Sequence, residues 1–206
     1  KFTCVVNLTC AISSNSPTSI SLVGLEYNDG ANPQVLATSA VSPTHKIVVT
    51  KPTVTINAGQ EALQTGTAKP VATITVKADA AGDLKIAQLP ILMQFPASLT
   101  VANLRISDDN GNTPINGTSV IASVTSGTAA NVAFTAGNEA SIVKAGTRTF
   151  TVYADISGTP LTNESVTTSL GASANFLWND VDGAVNGITG SLLGSGYASG
   201  SRQLKN

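Results

Sequence analysis

The sequence is poor in charge: Asp, Glu, Lys and Arg make up 11% of its 206 residues, against about 25% in an average soluble domain. Its formal net charge is -1, so no long-range field attracts nucleic acid or an anionic membrane surface, and we expect neither as a partner. Thr, Ser and Asn must wet the surface instead. A surface with so little charge opposes self-association only weakly, which favours assembly.

The sequence also lacks an apolar run of about 18 residues, which excludes a membrane-spanning helix. Residues 1–6 are too short for a signal peptide, and the residues after them are too polar to extend one. The first residue is Lys rather than Met. We therefore expect either a processed mature form, which would have lost any export signal, or a segment of a longer protein.

Catalytic motifs are missing. His45 is the single histidine, and without a Gly-X-Ser-X-Gly elbow a lone histidine is more often a strand-edge residue than a base. A carboxylate pair for glycoside hydrolysis can be assembled from Asp155, Glu164, Asp180 and Asp182 only by choosing after the fact. We predict that the protein is not an enzyme and has no catalytic residues.

Cysteine is nearly absent, with only Cys4 and Cys10 present. On a straight strand their backbones would lie roughly 20 Å apart, at about 3.3 Å per residue, whereas a disulfide requires roughly 7 Å or less. A loop with Asn7 at its tip would allow a local disulfide, as in an exported protein, and the alternative is two buried free thiols. A metal site at these thiols is not expected, because no second cysteine pair exists.

Sustained helical periodicity is absent as well, so at most one short helix is expected, at residues 97–103. Residues 145–156 alternate instead with the two-residue period of a strand. One face carries Phe150, Val152, Ala154 and Ile156, and the other carries hydroxyls and a carboxylate. We predict a half-buried antiparallel strand around which the rest of the chain is organised.

Short alternating segments at regular spacing predict an all-β fold, with an antiparallel immunoglobulin-like β-sandwich over residues 51–206. Residues 1–50 predict a small N-terminal β module, joined to the sandwich at Lys51-Pro52. Four short strands are predicted there, at residues 2–10, 19–27, 34–40 and 45–50. A sheet of four short strands is marginal alone, so this module either packs on the rest or is completed by a neighbouring subunit. Residues 59–69 are expected to form a polar loop. Pro90 is expected to kink residues 84–95 or place them at an edge.

Two loops resemble calcium-binding sequences. Asp180 and Asp182 could share a calcium ion with backbone carbonyls, although Asp-Gly is equally ordinary turn chemistry. In the loop at residues 108–112 the twelfth position, which should be acidic, is Ser119, so a hairpin turn is the preferred interpretation. No other cofactor is indicated.

Two features of the sequence concern glycans. Asn7, Asn116 and Asn163 begin Asn-X-Ser/Thr triplets and are candidate glycosylation sites in an exported protein, although such triplets also arise by chance in a Thr-rich chain. Trp178 and Tyr153 are candidates for stacking on a sugar ring. The alternative for a lone Trp in a sandwich is a place in the core.

Five segments together resemble β-sandwich domains of secreted bacterial surface proteins, the repeat domains of surface-layer, fibre and pilus-associated proteins. They are residues 51–56, 78–86, 104–111, 144–156 and 176–180, and the resemblance extends over about residues 51–185. The chain departs from type IV pilins, which begin with a long apolar helix. The resemblance implies a structural or adhesive role outside the cell, with no catalytic residues to carry over.

Two functions fit these features. The first is a structural subunit of an extracellular filament or cell-surface layer, a homopolymer held together by β-strand complementation. The donated strand would be residues 2–10 or the Gly-rich tail, residues 194–202. The second function is a carbohydrate-binding or adhesive module of a secreted protein, which requires an exposed aromatic ring at Trp178 or Tyr153.

Overall fold

The computed structural model describes residues 21–28, 33–41, 48, 50–79, 82–107, 111, 113–115, 118–135, 142–181, 185–198 and 200–206. The chain divides into two compact units, Lys1–Val48 and Val49–Asn206. This division falls close to the Lys51-Pro52 joint expected from the sequence. Within the described part, no helical segment has the length and apolarity needed to cross a bilayer.

The described part of the first unit is a β-hairpin. Strand β1 (Ser21–Asn28) pairs antiparallel with β2 (Pro33–Val41), with one irregularity in register between Val23 and Leu25. Both strands lie within two residues of the predicted ones. Of the strand predicted at residues 45–50, only Val48 and Thr50 are described, and neither is in a strand. Two strands alone are marginally stable, and among the described residues neither has a further partner.

The second unit is built of two packed sheets. In chain order its strands are β3 (Thr53–Ile56), β4 (Gly59–Ala62), β5 (Gly66–Ala78), β6 (Leu84–Gln94), β7 (Leu99–Ile106), β8 (Ile121–Ser123), β9 (Ala129–Ala133), β10 (Ile142–Val143), β11 (Gly146–Gly158), β12 (Ser165–Leu170), β13 (Leu177–Asp180), β14 (Val185–Thr189) and β15 (Ser201–Lys205). One sheet has the order β3-β5-β11-β7-β8. The other has the order β14-β13-β6-β12-β15-β4, with β9 and β10 also paired to β6. The predicted all-β sandwich is confirmed.

Strand β11 is the long central strand of the five-stranded sheet, paired with β5 on one side and β7 on the other. Its predicted apolar residues Phe150, Val152, Ala154 and Ile156 are at most 1% exposed. The alternating pattern at residues 145–156 therefore predicted both the strand and its buried face correctly.

The core lies between the two sheets. The ring of Phe134, directly after β9, packs edge to face on that of Phe150 in β11, with centroids 5.9 Å apart. Such a pair adds about 0.5–1.5 kcal/mol to the stabilisation from burial alone. The largest fully buried side chains are Trp178, Phe150, Phe176, Ile74, Leu84, Ile86, Leu89, Ile91, Met93, Leu104, Ile106 and Ile156.

The sequence predicted that Pro90 would either kink residues 84–95 or place them at a sheet edge. Strand β6 is paired along both of its sides, so the edge alternative is wrong. On one side lie β13 and then β12, and on the other β10 and then β9. The carbonyl of Pro90 accepts a hydrogen bond from the Gly171 N–H at 3.0 Å. The N and O of one residue point to the same side of an antiparallel strand. The proline nitrogen, which carries no hydrogen, therefore points toward the gap between β12 and β13. The ladder therefore loses no donor there.

Two other expectations about local structure are corrected. The helix expected at residues 97–103 is instead the start of β7, because Leu99 and Val101 alternate into the core at 4% and 0% exposure. The polar loop expected at residues 59–69 contains β4 and the beginning of β5. The described helical segments are two 3-10 segments, Ser173–Asn175 and Gly190–Gly196.

Candidate functional site

Several residues singled out in the sequence lie outside the described part of the chain: Cys4, Asn7, Cys10, His45, Asn116 and Asp182. The disulfide and glycosylation at all three asparagines stay predictions. The third, Asn163, lies exposed in the turn between β11 and β12, with a positive φ of 69°. Its side chain is accessible to a modifying enzyme.

The two aromatic residues proposed for sugar stacking are buried. Trp178 on β13 is 1% exposed and lies between Ile86 and Ile188 of the neighbouring strands. Tyr153 is 9% exposed, and its ring packs against Gly111, where an added Cβ would lie 2.7 Å from the ring. Neither residue presents an open ring face to a ligand. The core alternative for Trp178 is confirmed.

Asp180, the described member of the proposed calcium pair, is 1% exposed on β13, in register with Leu84 on one side and Val185 on the other. Among the residues the structure describes, no three His, Cys, Asp or Glu side chains are grouped so that they could hold a metal ion. Calcium binding that includes Asp182 stays a prediction.

A polar cluster that the sequence did not predict joins β5, β7 and β11. Arg105, 9% exposed, donates from Nη1 to Asp155 Oδ1 at 3.1 Å and to the Asn103 carbonyl at 2.6 Å. Its Nε donates to the Gly111 carbonyl at 2.6 Å. Asp155 also accepts hydrogen bonds from the Ala68 N–H and the Asn103 amide, at 2.9 and 2.8 Å. We call these five residues the Arg105–Asp155 cluster.

The Arg105–Asp155 cluster holds two strained residues. Ala68 and Asn103 have positive φ values of 52° and 49°, a region that costs about 1–3 kcal/mol for a non-glycine residue unless its surroundings fix it. Both donate to the carboxylate of Asp155. Asp155 therefore fixes the irregular register of β11 against its neighbours, and the cluster has a structural role.

We expect the Arg105–Asp155 cluster to make the free energy of unfolding depend on pH. Burial raises the pKa of Asp155, but hydrogen bonds from Ala68, Asn103 and Arg105 and the charge of Arg105 outweigh it, so that the pKa lies below its ordinary value. Such a group contributes its full stabilisation above the ordinary pKa, and this is lost as pH falls through the lowered folded-state pKa. The melting temperature of the wild type should therefore fall more steeply below about pH 4 than that of Asp155→Asn. Trp178, the single tryptophan, reports unfolding by fluorescence, and parallel curves would contradict this expectation.

A shallow groove of about 480 Å³ lies on the described second unit. Its lining is mainly polar: Gln94, Phe95, Pro96, Ser126, Gly127, Glu164, Ser165 and Thr167. The Glu164 carboxylate accepts hydrogen bonds from Ser98 Oγ and the Leu161 N–H, at 2.6 and 2.7 Å. Those bonds position Glu164 as a structural acceptor that holds the turn before β12.

The C-terminal tail is part of the chain's own sheet. Strand β15 pairs antiparallel with β12 and parallel with β4. Tyr197 forms a bridge with Val54 and donates from its hydroxyl to the Gly171 carbonyl at 3.0 Å. The suggestion that residues 194–202 are donated to another copy is therefore wrong, because their hydrogen bonds are made within the chain.

Most outer strands of the sandwich carry features that discourage pairing with another chain. Edge strands are commonly protected by charge, proline, bulges or a covering segment. Strand β4 carries Glu61, paired with Arg202, and the outer part of β5 carries Lys69 and Pro70. Strand β14 is irregular, with a φ of 63° at Gly187. Strand β3 is covered by the Val54–Tyr197 bridge.

Strand β8 and most of β9 lack this protection, since the bridge between Thr118 and Phe134 covers only the C-terminal end of β9. They lie in a stretch between Asp109 and Glu139 that contains no charged residue and no histidine. Each pairs on one side only among the described strands, β8 with β7 and β9 with β6. Val120, which immediately precedes β8, is 43% exposed. The absence of charge is visible in the sequence, but only the strand pairing places it on sheet edges.

Neither a scan against protein-family models nor a search of curated proteins found a match. The resemblance to β-sandwich domains of secreted surface proteins therefore stays a prediction.

Proposed function

We propose that the protein is a structural subunit of an extracellular filament or cell-surface layer, a homopolymer assembled by β-strand complementation between copies. The observation that carries the proposal is the β1–β2 hairpin, a two-stranded sheet with no further strand among the described residues, because two strands need a third for independent stability. A net charge of -1 adds little repulsion between whole subunits. In this role the protein performs no catalysis, and an immunoglobulin-like sandwich serves as its scaffold.

Residues 2–10 are the proposed donor strand. Their even-numbered residues Phe2, Cys4, Val6, Leu8 and Cys10 are apolar, as in a strand with one buried face. This donor strand requires the alternative in which Cys4 and Cys10 are free thiols, because an extended strand holds them too far apart for a disulfide. The proposed acceptor is the β1–β2 hairpin of the next copy, since two strands need a third for independent stability. Main-chain hydrogen bonds would provide the affinity, and apolar side chains at alternate positions would set the register.

A carbohydrate-binding or adhesive role has less support. It required an exposed ring at Trp178 or Tyr153, and both are buried. A glycan attached at the exposed Asn163 is compatible with a surface-layer or filament subunit, because the modification needs only an accessible turn.

Removing residues 1–10 is expected to stop polymer growth while leaving the Val49–Asn206 unit folded. The full chain should form filaments or sheets by negative-stain electron microscopy, and the truncated chain should not. Trp178 fluorescence and circular dichroism would establish that the sandwich of the truncated chain is intact.

A finer comparison uses Val6→Glu and Thr9→Glu in the full chain. Both add one negative charge, but only Val6 belongs to the predicted apolar face, so Val6→Glu should block growth and Thr9→Glu should not. Filaments of unchanged length from the truncated chain would refute strand donation.

A further inference from the structure

The backbone of β9 has a defined hydrogen-bonding phase. The Phe134 N–H donates to the Ala87 carbonyl at 2.9 Å, and β9 runs antiparallel to β6 from Gln88 opposite Ala133 to Leu92 opposite Ala129, without a register shift. In such a ladder alternate residues point their N–H and C=O groups away from the partner. The outward-pointing residues of β9 are therefore Ala129, Asn131 and Ala133.

One of these three residues is already satisfied. The Ala133 N–H donates to Ser119 Oγ, and its carbonyl accepts from the Ser119 N–H, both at 2.9 Å. No described residue makes the corresponding bonds to Ala129 or Asn131. The free edge thus consists of two residues with outward-pointing groups, separated by Ala130.

The occupant that this edge fits best is a second copy of the same edge. A pair related by a two-fold axis places identical residues near one another, so any charge would face its own copy and repel it. No charge is present between Asp109 and Glu139. An uncharged edge gives no electrostatic preference for a basic or acidic partner, but it is compatible with itself.

We propose that two copies pair antiparallel through β9, with Ala129 of each opposite Asn131 of the other and the two-fold axis at Ala130. In this register each Ala129–Asn131 pair exchanges two hydrogen bonds, which makes four in all. The other symmetric registers would use Ala133, whose groups Ser119 occupies, or would leave Asn131 or Ala129 unpaired. The eight-stranded sheets of the two copies become continuous.

The ends of β9 leave room for this arrangement. Residues Ser126 and Gly127 turn away from the edge, since the Gly127 N–H donates to the Met93 carbonyl of β6 at 2.8 Å. Gly127 has a φ of 78°, and a Cβ added there would meet no atom within 4 Å. The Ser119 segment of the second copy would lie in this open space.

This inference rests on the proposed function, because it names a second, lateral contact within the same homopolymer. A pair closed by a two-fold axis cannot extend a chain by itself. Strand donation would extend the filament, and β9 pairing would join subunits side by side. The two contacts use different parts of the chain and fail separately.

The test uses the full chain carrying Val6→Glu, which is expected to lack filament growth, and follows sedimentation velocity and amide exchange at Ala129 and Asn131. A concentration-dependent dimer with slowed exchange at these two amides is expected. Adding Asn131→Pro should give a monomer, since proline removes an outward-pointing N–H and leaves the β6 ladder intact. If the Val6→Glu chain without Asn131→Pro were already a monomer with fast amide exchange at both residues, β9 pairing would be refuted and strand donation would be unaffected.

The register is tested by charge pairs. In Ala129→Glu with Asn131→Lys, each new charge lies opposite its counterpart in the second copy. The control, Asn131→Lys with Ala133→Glu, also places one lysine and one glutamate two residues apart on β9. In the proposed register, however, neither of these charges lies opposite a charge of the second copy. The first combination should associate about 2- to 30-fold more tightly than the second, because symmetry makes two cross-strand pairs. Equal affinities would overturn the register even if Asn131→Pro prevented folding.

Discussion

Trp178→Ala is expected to lower the free energy of unfolding of the Val49–Asn206 unit by about 3–5 kcal/mol. The indole is the largest fully buried side chain and is 1% exposed, so its removal leaves a cavity that rigid neighbouring strands cannot fill. No described residue accepts a hydrogen bond from its Nε1. The loss is therefore one of packing, and Trp178→Phe should cost less.

Leu192→Ala is the matched control for this prediction, since Leu192 is also a large apolar residue but is 56% exposed. Its effect should stay within about 0.5 kcal/mol. Urea denaturation followed by far-ultraviolet circular dichroism measures both variants. If Trp178→Ala were as stable as Leu192→Ala, the indole could not be in the core, and a surface role for this ring would have to be reconsidered.

The second large effect is expected from Asp155→Ala, at about 2–3 kcal/mol of lost stability. The alanine leaves the guanidinium of Arg105 without its carboxylate, and a buried ion pair broken on one side typically costs about 3–5 kcal/mol. The carboxylate is 25% exposed, which reduces this figure. The variant also removes the acceptor that holds Ala68 and Asn103 at positive φ.

Glu61→Ala supplies the comparison for Asp155→Ala, because Glu61 also pairs with an arginine, Arg202, but its side chain is 60% exposed. An exposed ion pair contributes at most about 1 kcal/mol. Trp178 fluorescence reports on the second unit in both variants. Equal stabilities for the two variants would mean that the Arg105–Asp155 cluster does not fix the register of β11.

The arrangement of protected and unprotected edges connects the fold to the proposed function. The same sandwich that places Glu61 on the outer strand β4, and Lys69 and Pro70 on the outer part of β5, leaves β9 without charge. A soluble monomer gains nothing from such an edge, which is a site for pairing with other chains. In a polymer the same edge is a contact between subunits.

Some local features were predictable because they depend on neighbours in the chain. The alternation from Phe150 to Ile156 predicted a strand and its buried face, and the spacing of such segments predicted an all-β sandwich. The prediction of a helix at residues 97–103 was wrong because the side chains of Leu99 and Val101 pack into the core. Whether so short a two-residue alternation forms a strand depends on the sheet that packs against it.

The Arg105–Asp155 cluster could not be predicted for a related reason. Ala68, Arg105 and Asp155 lie far apart in the chain, and no short motif marks residues that meet through strand register. The sequence indicates Asp155 as a carboxylate on the polar face of a strand and as a candidate acid, whereas the structure places it as an acceptor for three donors. The position of Pro90 inside a sheet likewise depends on a gap between two other strands.

By itself, the sequence determined the periodicity of the strands, the class of fold and the shortage of charge, because each of these is a property of adjacent residues and of composition. The tertiary structure alone decided which strands became edges, which aromatic rings were buried and which backbone groups point outward. Those properties depend on pairing between distant segments. At β9, for example, the register against β6 turns the backbone groups of Ala129, Asn131 and Ala133 outward, and Ser119 forms hydrogen bonds with Ala133 alone among them.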